Sequence, residues 1–161
     1  MFFFLRQLGD FFQEHRRKVM IHPDTELKVV SESIGMGVFA TRFIPSGTII
    51  YVQDALEIVL SEVDYVRLPQ VLKSTVDKYS YINHLGNRIL SWDNGKFFNH
   101  CCHPNCLSTG YGFTLVIDDI QAGEELTDEY SLFNLEADME LNCSKVNCRG
   151  RVRPDDLEMI A

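Results

Sequence analysis

Lys96-Phe97-Phe98-Asn99-His100-Cys101-Cys102-His103-Pro104-Asn105 and Gly123-Glu124-Glu125-Leu126-Thr127-Asp128-Glu129-Tyr130 are the two segments whose reading decides the fold. In the first, an apolar pair runs straight into Asn99-His100, and Pro104-Asn105 turns the chain. Polar groups set so tightly against apolar ones are costly to bury unless each meets a specific partner. The second segment gathers acids around Leu126 and ends on a tyrosine.

The surrounding chain has 161 residues, enough for one domain with a real core. It is 45% hydrophobic and 24% charged, the composition of an ordinary globular domain. There is no run of 18 apolar residues of the kind that spans a membrane. The apolar start is broken by Arg6 and Asp10 and has no basic leader, so a secretory signal is not expected and an intracellular protein is. Five cysteines lie at 101, 102, 106, 143 and 148. An odd number without a secretory leader points to thiols or metal ligands rather than a disulfide framework. A net charge of −8 argues against binding nucleic acid through its phosphates. Residues 118–140 hold nine acids and no Lys or Arg. They read either as a solvated face or as a field that attracts a basic peptide. The presence of Tyr130 among them adds weight to the second reading.

Residues 2–18 show helical spacing, with Phe4, Leu5, Leu8, Phe11 and Phe12 on one face and His15-Arg16-Arg17-Lys18 near the end. This predicts a helical extension over residues 1–24, able to pack on the body or on a second copy in a homodimer. From residue 25 the pattern becomes short strands. Leu27 and Val29 alternate with polar neighbours, Val38-Phe39-Ala40 follows a glycine pair, and a β-branched run covers 48–52 after the turn Pro45-Ser46-Gly47. Ser61 caps an amphipathic helix over 62–78 that Pro69 breaks. Strands are predicted at 79–83 and 88–92 around the turn 84–87, and at 111–117 before the turn Gln121-Ala122-Gly123. The expected class is mostly β with short helices.

Ile34-Gly35-Met36-Gly37-Val38-Phe39-Ala40, the Asn-His segment and the segment ending at Tyr130 together resemble the signature of SET-domain protein lysine methyltransferases. The resemblance covers roughly residues 25–150. It implies a SET-type β-clip fold, with a SET domain over 25–132 and a post-SET-like segment over 133–161. It also implies that the C-terminal segment threads a preceding loop as a pseudoknot, against the usual rule for protein chains. The implied cofactor is S-adenosylmethionine, held by Gly35, Met36 and Gly37, by Asn99 and His100, by Tyr79 and Tyr130, and by Phe133 as a lid on the adenine. Tyr130 is the implied catalytic residue and Asn105 a brace for the crossing segments. Phe98 and Asp128 would line the channel for the substrate lysine. At position 128 the family often carries Phe or Tyr, which tunes how many methyl groups fit. A carboxylate there would order water or attract the substrate ammonium. Glu129 replaces the commoner Asp.

The post-SET resemblance also implies zinc, bound by Cys102, Cys143 and Cys148. Leu141 stands where the first cysteine of C-x-C-x4-C is expected. Three ligands leave a tetrahedral site incomplete unless Cys101, Cys106 or a histidine supplies the fourth. Otherwise the tail packs through Phe133, Leu135 and Leu141. The implied partner is a Lys/Arg-rich protein, a histone or something like one, that adds a strand to an exposed edge. Two alternatives remain at this point: a non-catalytic SET-fold module that binds basic proteins, and a plain Cys/His metal-binding module.

Overall fold

A computed structural model describes residues 21–132, 139–141, 148–153 and 156. The predicted N-terminal helix, Phe133 and Cys143 lie outside these residues. Among these described residues, twelve strands and two α-helices follow in chain order. The strands are β1 (Thr25–Ser31), β2 (Gly35–Ala40), β3 (Ile49–Val52) and β4 (Ile58–Leu60), then β5 (Ser80–Ile82), β6 (Arg88–Leu90), β7 (Asn99–His100) and β8 (Cys106–Ser108). The last are β9 (Phe113–Val116), β10 (Glu125–Asp128), β11 (Met139–Glu140) and β12 (Arg151–Val152). The helices are α1 (Glu62–Arg67) and α2 (Gln70–Tyr79). Among the described residues the strands form four small sheets: β1-β2-β10-β7, β3-β9-β8, β4-β6-β5 and β11-β12. The expected class, mostly β with short helices, is the one observed.

Local chemistry sets these boundaries. Ser61 accepts the Asp64 N–H at 3.2 Å and starts α1. Pro69 stands between the two helices, where its missing N–H costs nothing. The strand expected from residue 79 starts one residue later, because Tyr79 still belongs to α2 and the Ser80 N–H caps the helix on the Val76 carbonyl. Its partner ends at Leu90 rather than 92. The strand expected from 111 starts at Phe113, since Gly112 turns with φ +82. Strands β4, β7, β8 and β10 were not read from the sequence.

The main core gathers Ile21, Val38, Ala40, Ile44, Ile50, Tyr51, Cys106, Val116, Ile120 and Leu126, with Leu27, Phe97 and Phe98 packed against it. It therefore joins residues distant along the chain and holds β2, β3, β8, β9 and β10 together. A fully buried side chain the size of Leu126 contributes about 1.5–3 kcal/mol. Asn105 ties this core to the loop between β7 and β8. Its Nδ2 donates to the Glu125 carbonyl at 2.8 Å, and its Oδ1 accepts the Thr127 N–H at 2.9 Å. One side chain thus pairs a carbonyl and an N–H on the same edge of the β10 backbone. Much of the C-terminal path, on which the expected pseudoknot depends, lies outside the described residues.

Candidate active site

Strand β10 is the organising element. It pairs antiparallel with β2, Leu126 opposite Val38, and parallel with β7, Thr127 opposite Asn99 and Asp128 opposite His100. This pairing brings the glycine turn, the Asn-His pair and the approach to Tyr130 into one sheet. Asn99 Nδ2 donates to the Met36 carbonyl at 3.0 Å and to Glu125 Oε1 at 2.8 Å. Gly37 is required by that closeness. A Cβ there would lie 2.5 Å from Glu125 Oε1 and 2.7 Å from a Val30 methyl. At Gly35, with φ +92, the same position faces open space.

His100 is locked to the tyrosine segment. Its Nδ1 accepts the Tyr130 N–H at 3.2 Å, which leaves the ring proton on Nε2, 3.3 Å from Cys102 Sγ. Burial holds the imidazole below its ordinary pKa, against the opposing pull of the Glu129 charge. The ring is therefore neutral at physiological pH and acts as an acceptor toward Tyr130. Glu129 is buried and satisfied. Arg149 donates to both of its oxygens at 2.7 and 2.8 Å, and the Ser131 N–H bonds Oε1 at 3.1 Å. The larger acid is thus accommodated by a guanidinium from the C-terminal segment.

Tyr130 donates its hydroxyl to the Phe98 carbonyl at 2.6 Å and sets its ring edge-on to His100, with centroids 5.4 Å apart. Burial pushes the phenol well above its ordinary pKa, and the charges of Asp128 and Glu125 push it further. It remains a protonated donor. Beside it opens a cavity of about 210 Å³. Tyr79, Tyr81, Phe98, Phe113 and Tyr130 give it aromatic walls, and Asp128 also lines it. Tyr79 meets Phe97 edge-on at 5.6 Å. Asp128 is 2% exposed, and its Oδ1 accepts the N–H groups of Ser108 and Glu129 at 3.2 and 2.8 Å. Its Oδ2 accepts the Ser108 hydroxyl at 2.6 Å. Burial nevertheless raises its pKa to about 6, with the Ser108 bond opposing.

Of the site residues read from the sequence, Tyr79, Phe98, Asp128 and Tyr130 line the cavity, whereas Gly35, Met36, Gly37, Asn99 and His100 do not. These five sit on the adjoining strands. Cys102 Sγ lies 3.9 Å from Cys148 Sγ and accepts the Arg149 N–H at 3.3 Å. The sequence reading missed Ser108, Thr114 and Arg149. Ser108 and Thr114 face each other across β8 and β9, their hydroxyls 2.8 Å apart. Leu107 and Leu115 alternating with polar neighbours around Gly110 and Gly112 was the available hairpin signal. The acidic stretch is arranged differently from a simple attractive face. Glu125, Asp128 and Glu129 are committed to Asn99, Ser108 and Arg149. Asp119 accepts the Ser46 N–H, and Glu124 accepts the Gln121 N–H.

A family model for the SET domain matches residues 35–131. The chain belongs to the SET-domain family. Over 143 residues it is 32% identical to the variant-silencing SET domain-containing protein of Plasmodium falciparum (isolate 3D7), a match spanning 78% of this chain and 5% of that protein. It is 36% identical over 62 residues to the histone-lysine N-methyltransferase ASHR3 of Arabidopsis thaliana, covering 34% of this chain and 12% of that one. The chain thus spans a small part of the length of these curated relatives. Among solved structures, it resembles KRYPTONITE in complex with mCHG DNA and SAH, with TM-score 0.58 and 19% identity over 84% of this chain and 30% of that one. It also resembles a Plasmodium falciparum protein described as a candidate histone methyltransferase, with TM-score 0.50 and 18% identity over 68% of this chain and 95% of that one. At these identities the structural likenesses speak for the fold.

Proposed function

We propose that this chain methylates a lysine side-chain amine in a histone or histone-like basic protein, with S-adenosylmethionine as donor. The observation that carries the reading is the Tyr130 hydroxyl, held 2.6 Å from the Phe98 carbonyl at the wall of an aromatic cavity. Family membership supports it, as do a relative named as a histone-lysine N-methyltransferase and a fold relative bound to SAH. In this reading residues 25–132 are the catalytic body, 1–24 an extension and 133–161 a post-SET-like tail.

Gly35, Met36, Gly37, Asn99 and His100 would hold the cofactor, with Tyr79, Tyr130 and Phe133 closing on it. The open space over Gly35 suits a ligand lying against main chain. Bound there, S-adenosylmethionine supplies a methyl group activated by its sulfonium. The protein then needs no nucleophile of its own; it must align the amine, which is an orientation effect. Phe98 and the other aromatic walls disfavour a fully solvated ammonium and so favour the neutral amine that reacts. Tyr130, kept protonated by burial, orients that amine by hydrogen bonding. Cys102 and Cys148, with Cys143, would supply three of the four ligands that a structural zinc needs. Their 3.9 Å separation suits two thiolates on one tetrahedral ion, whose edge is about 3.8 Å at a Zn–S distance of ~2.3 Å.

The test is transfer of radiolabelled methyl from S-adenosylmethionine to purified core histones. Tyr130→Phe is expected to lower the rate roughly 100-fold or more while the fold is retained. Histone binding without transfer by the unaltered chain would replace this reading with a non-catalytic binding module.

A further inference from the structure

The cavity beside Tyr130 has a feature that methyl transfer alone does not require. Six Phe and Tyr residues line it, and so does a nearly fully buried carboxylate. A buried carboxylate is costly unless it has partners. Asp128 has three donors, but they are unevenly placed. Oδ1 takes the two main-chain N–H groups, whereas Oδ2 takes only the Ser108 hydroxyl. A carboxylate oxygen has room for a second donor. Ser108 in turn bonds Thr114, so a polar stripe of Asp128, Ser108 and Thr114 runs along the wall, and all three line the cavity. A carboxylate inside a small ring-walled space supplies the charge partner for an alkylammonium ion that the rings alone do not.

We propose that Asp128 is the anionic anchor of the cavity: its Oδ2 receives an N–H of the entering alkylammonium group, in a site braced by Ser108 and Thr114. The identity of the cation as a substrate lysine rests on the methyl-transfer reading. The anchoring does not. Other charged groups nearby leave this role open. Lys78 and Lys96 also line the cavity, but the Lys78 ammonium lies over the Tyr79 ring at 5.1 Å and Lys96 donates to the Trp92 carbonyl at 3.3 Å. His84 is a further lining residue. Next to Asp128 in the chain stands Glu129, paired with Arg149, and on neighbouring strands stand the neutral His100 and the Cys106 thiol, whose pKa burial raises. The anchor has a kinetic cost. Holding the nitrogen as an ammonium opposes the deprotonation that attack requires, so Asp128 would improve capture and shift turnover toward higher pH.

The test uses n-butylammonium, the lysine side chain without its backbone, and uncharged 1-butanol as a shape control. Binding of each to the 161-residue chain is followed by ligand-observed NMR. For D128N, n-butylammonium affinity is expected to fall roughly ten-fold or more, with 1-butanol unchanged. The unaltered chain should lose n-butylammonium selectively as pH drops through about 6, where the carboxylate protonates; this arm stands even if the variant misfolds. Equal n-butylammonium binding by D128N and the unaltered chain, or a pH-independent preference for the cation, overturns the anchor. Selective binding without methyl transfer to histones would uphold the anchor and sink the proposed function. Transfer without selective binding would do the reverse.

Discussion

At the scale of single residues, Asp128 and Glu129 show how two adjacent acids can be buried by different means. Glu129 is paired with Arg149, whose Nη2 donates to both its oxygens, whereas Asp128 has only neutral donors. The difference has a thermodynamic consequence. Asp128 has a folded pKa of about 6, above its value in an unfolded chain, so the native state binds its proton more tightly. Its contribution is therefore most favourable below about pH 4 and is lost as pH rises to about 6. At pH 7 the ionised group costs on the order of 3 kcal/mol. Asp128→Asn should raise the urea midpoint at pH 7 and remove this slope between pH 4 and 6, as measured by fluorescence unfolding. The neighbouring acid predicts the opposite sign. Arg149→Ala would leave a buried charge without its partner and should destabilise the protein by about 3 kcal/mol. A Tm unchanged by that substitution would show that the Arg149–Glu129 pair contributes little.

At the scale of elements, β10 carries the fold into the site, because one four-residue strand serves two partners and a bracing asparagine. Gly37 permits the approach of β2 to it. Gly37→Ala should lower the melting temperature sharply, since Glu125, Val30 and Asn99 would all have to shift. Gly35→Ala acts through backbone strain at φ +92 alone and leaves those three in place. Comparing the two Tm values separates crowding from strain. The same strands explain what the sequence disclosed. The strands β1, β2, β3, β5, β6 and β9 announced themselves through alternation, β-branched runs and glycine turns, and Pro69 divided the helices as expected. By contrast β7 and β8 are two and three residues long and lie within a polar, cysteine-rich stretch. No periodicity fits in so short a span, and only long-range pairing makes them strands. The candidate site was legible through its motifs, because Asn99, His100 and Tyr130 are chemically conspicuous. Ser108 and Arg149 are common residue types whose importance comes from the partner that the fold supplies.

At the scale of the whole molecule, the net charge of −8 and the local arrangement of acids make different claims about a basic partner. A long-range field attracts a cationic protein from every side and is screened by salt over about 8 Å at physiological ionic strength. A dedicated acidic face would concentrate that attraction in the stretch around Tyr130. The geometry argues for the diffuse alternative. Asp119 and Glu124 are bonded within the turns beside β10, and neither they nor Asp118 lines the cavity. Under the proposed function, the KM for core histones should therefore rise several-fold between low and physiological salt, as screening removes the general attraction. A variant carrying Asp118→Asn, Asp119→Asn and Glu124→Gln should change KM by less than about two-fold, because it removes a minority of a distributed charge. If those three substitutions alone abolished the salt dependence, the attraction would belong to the turn and the distributed field would be the wrong description.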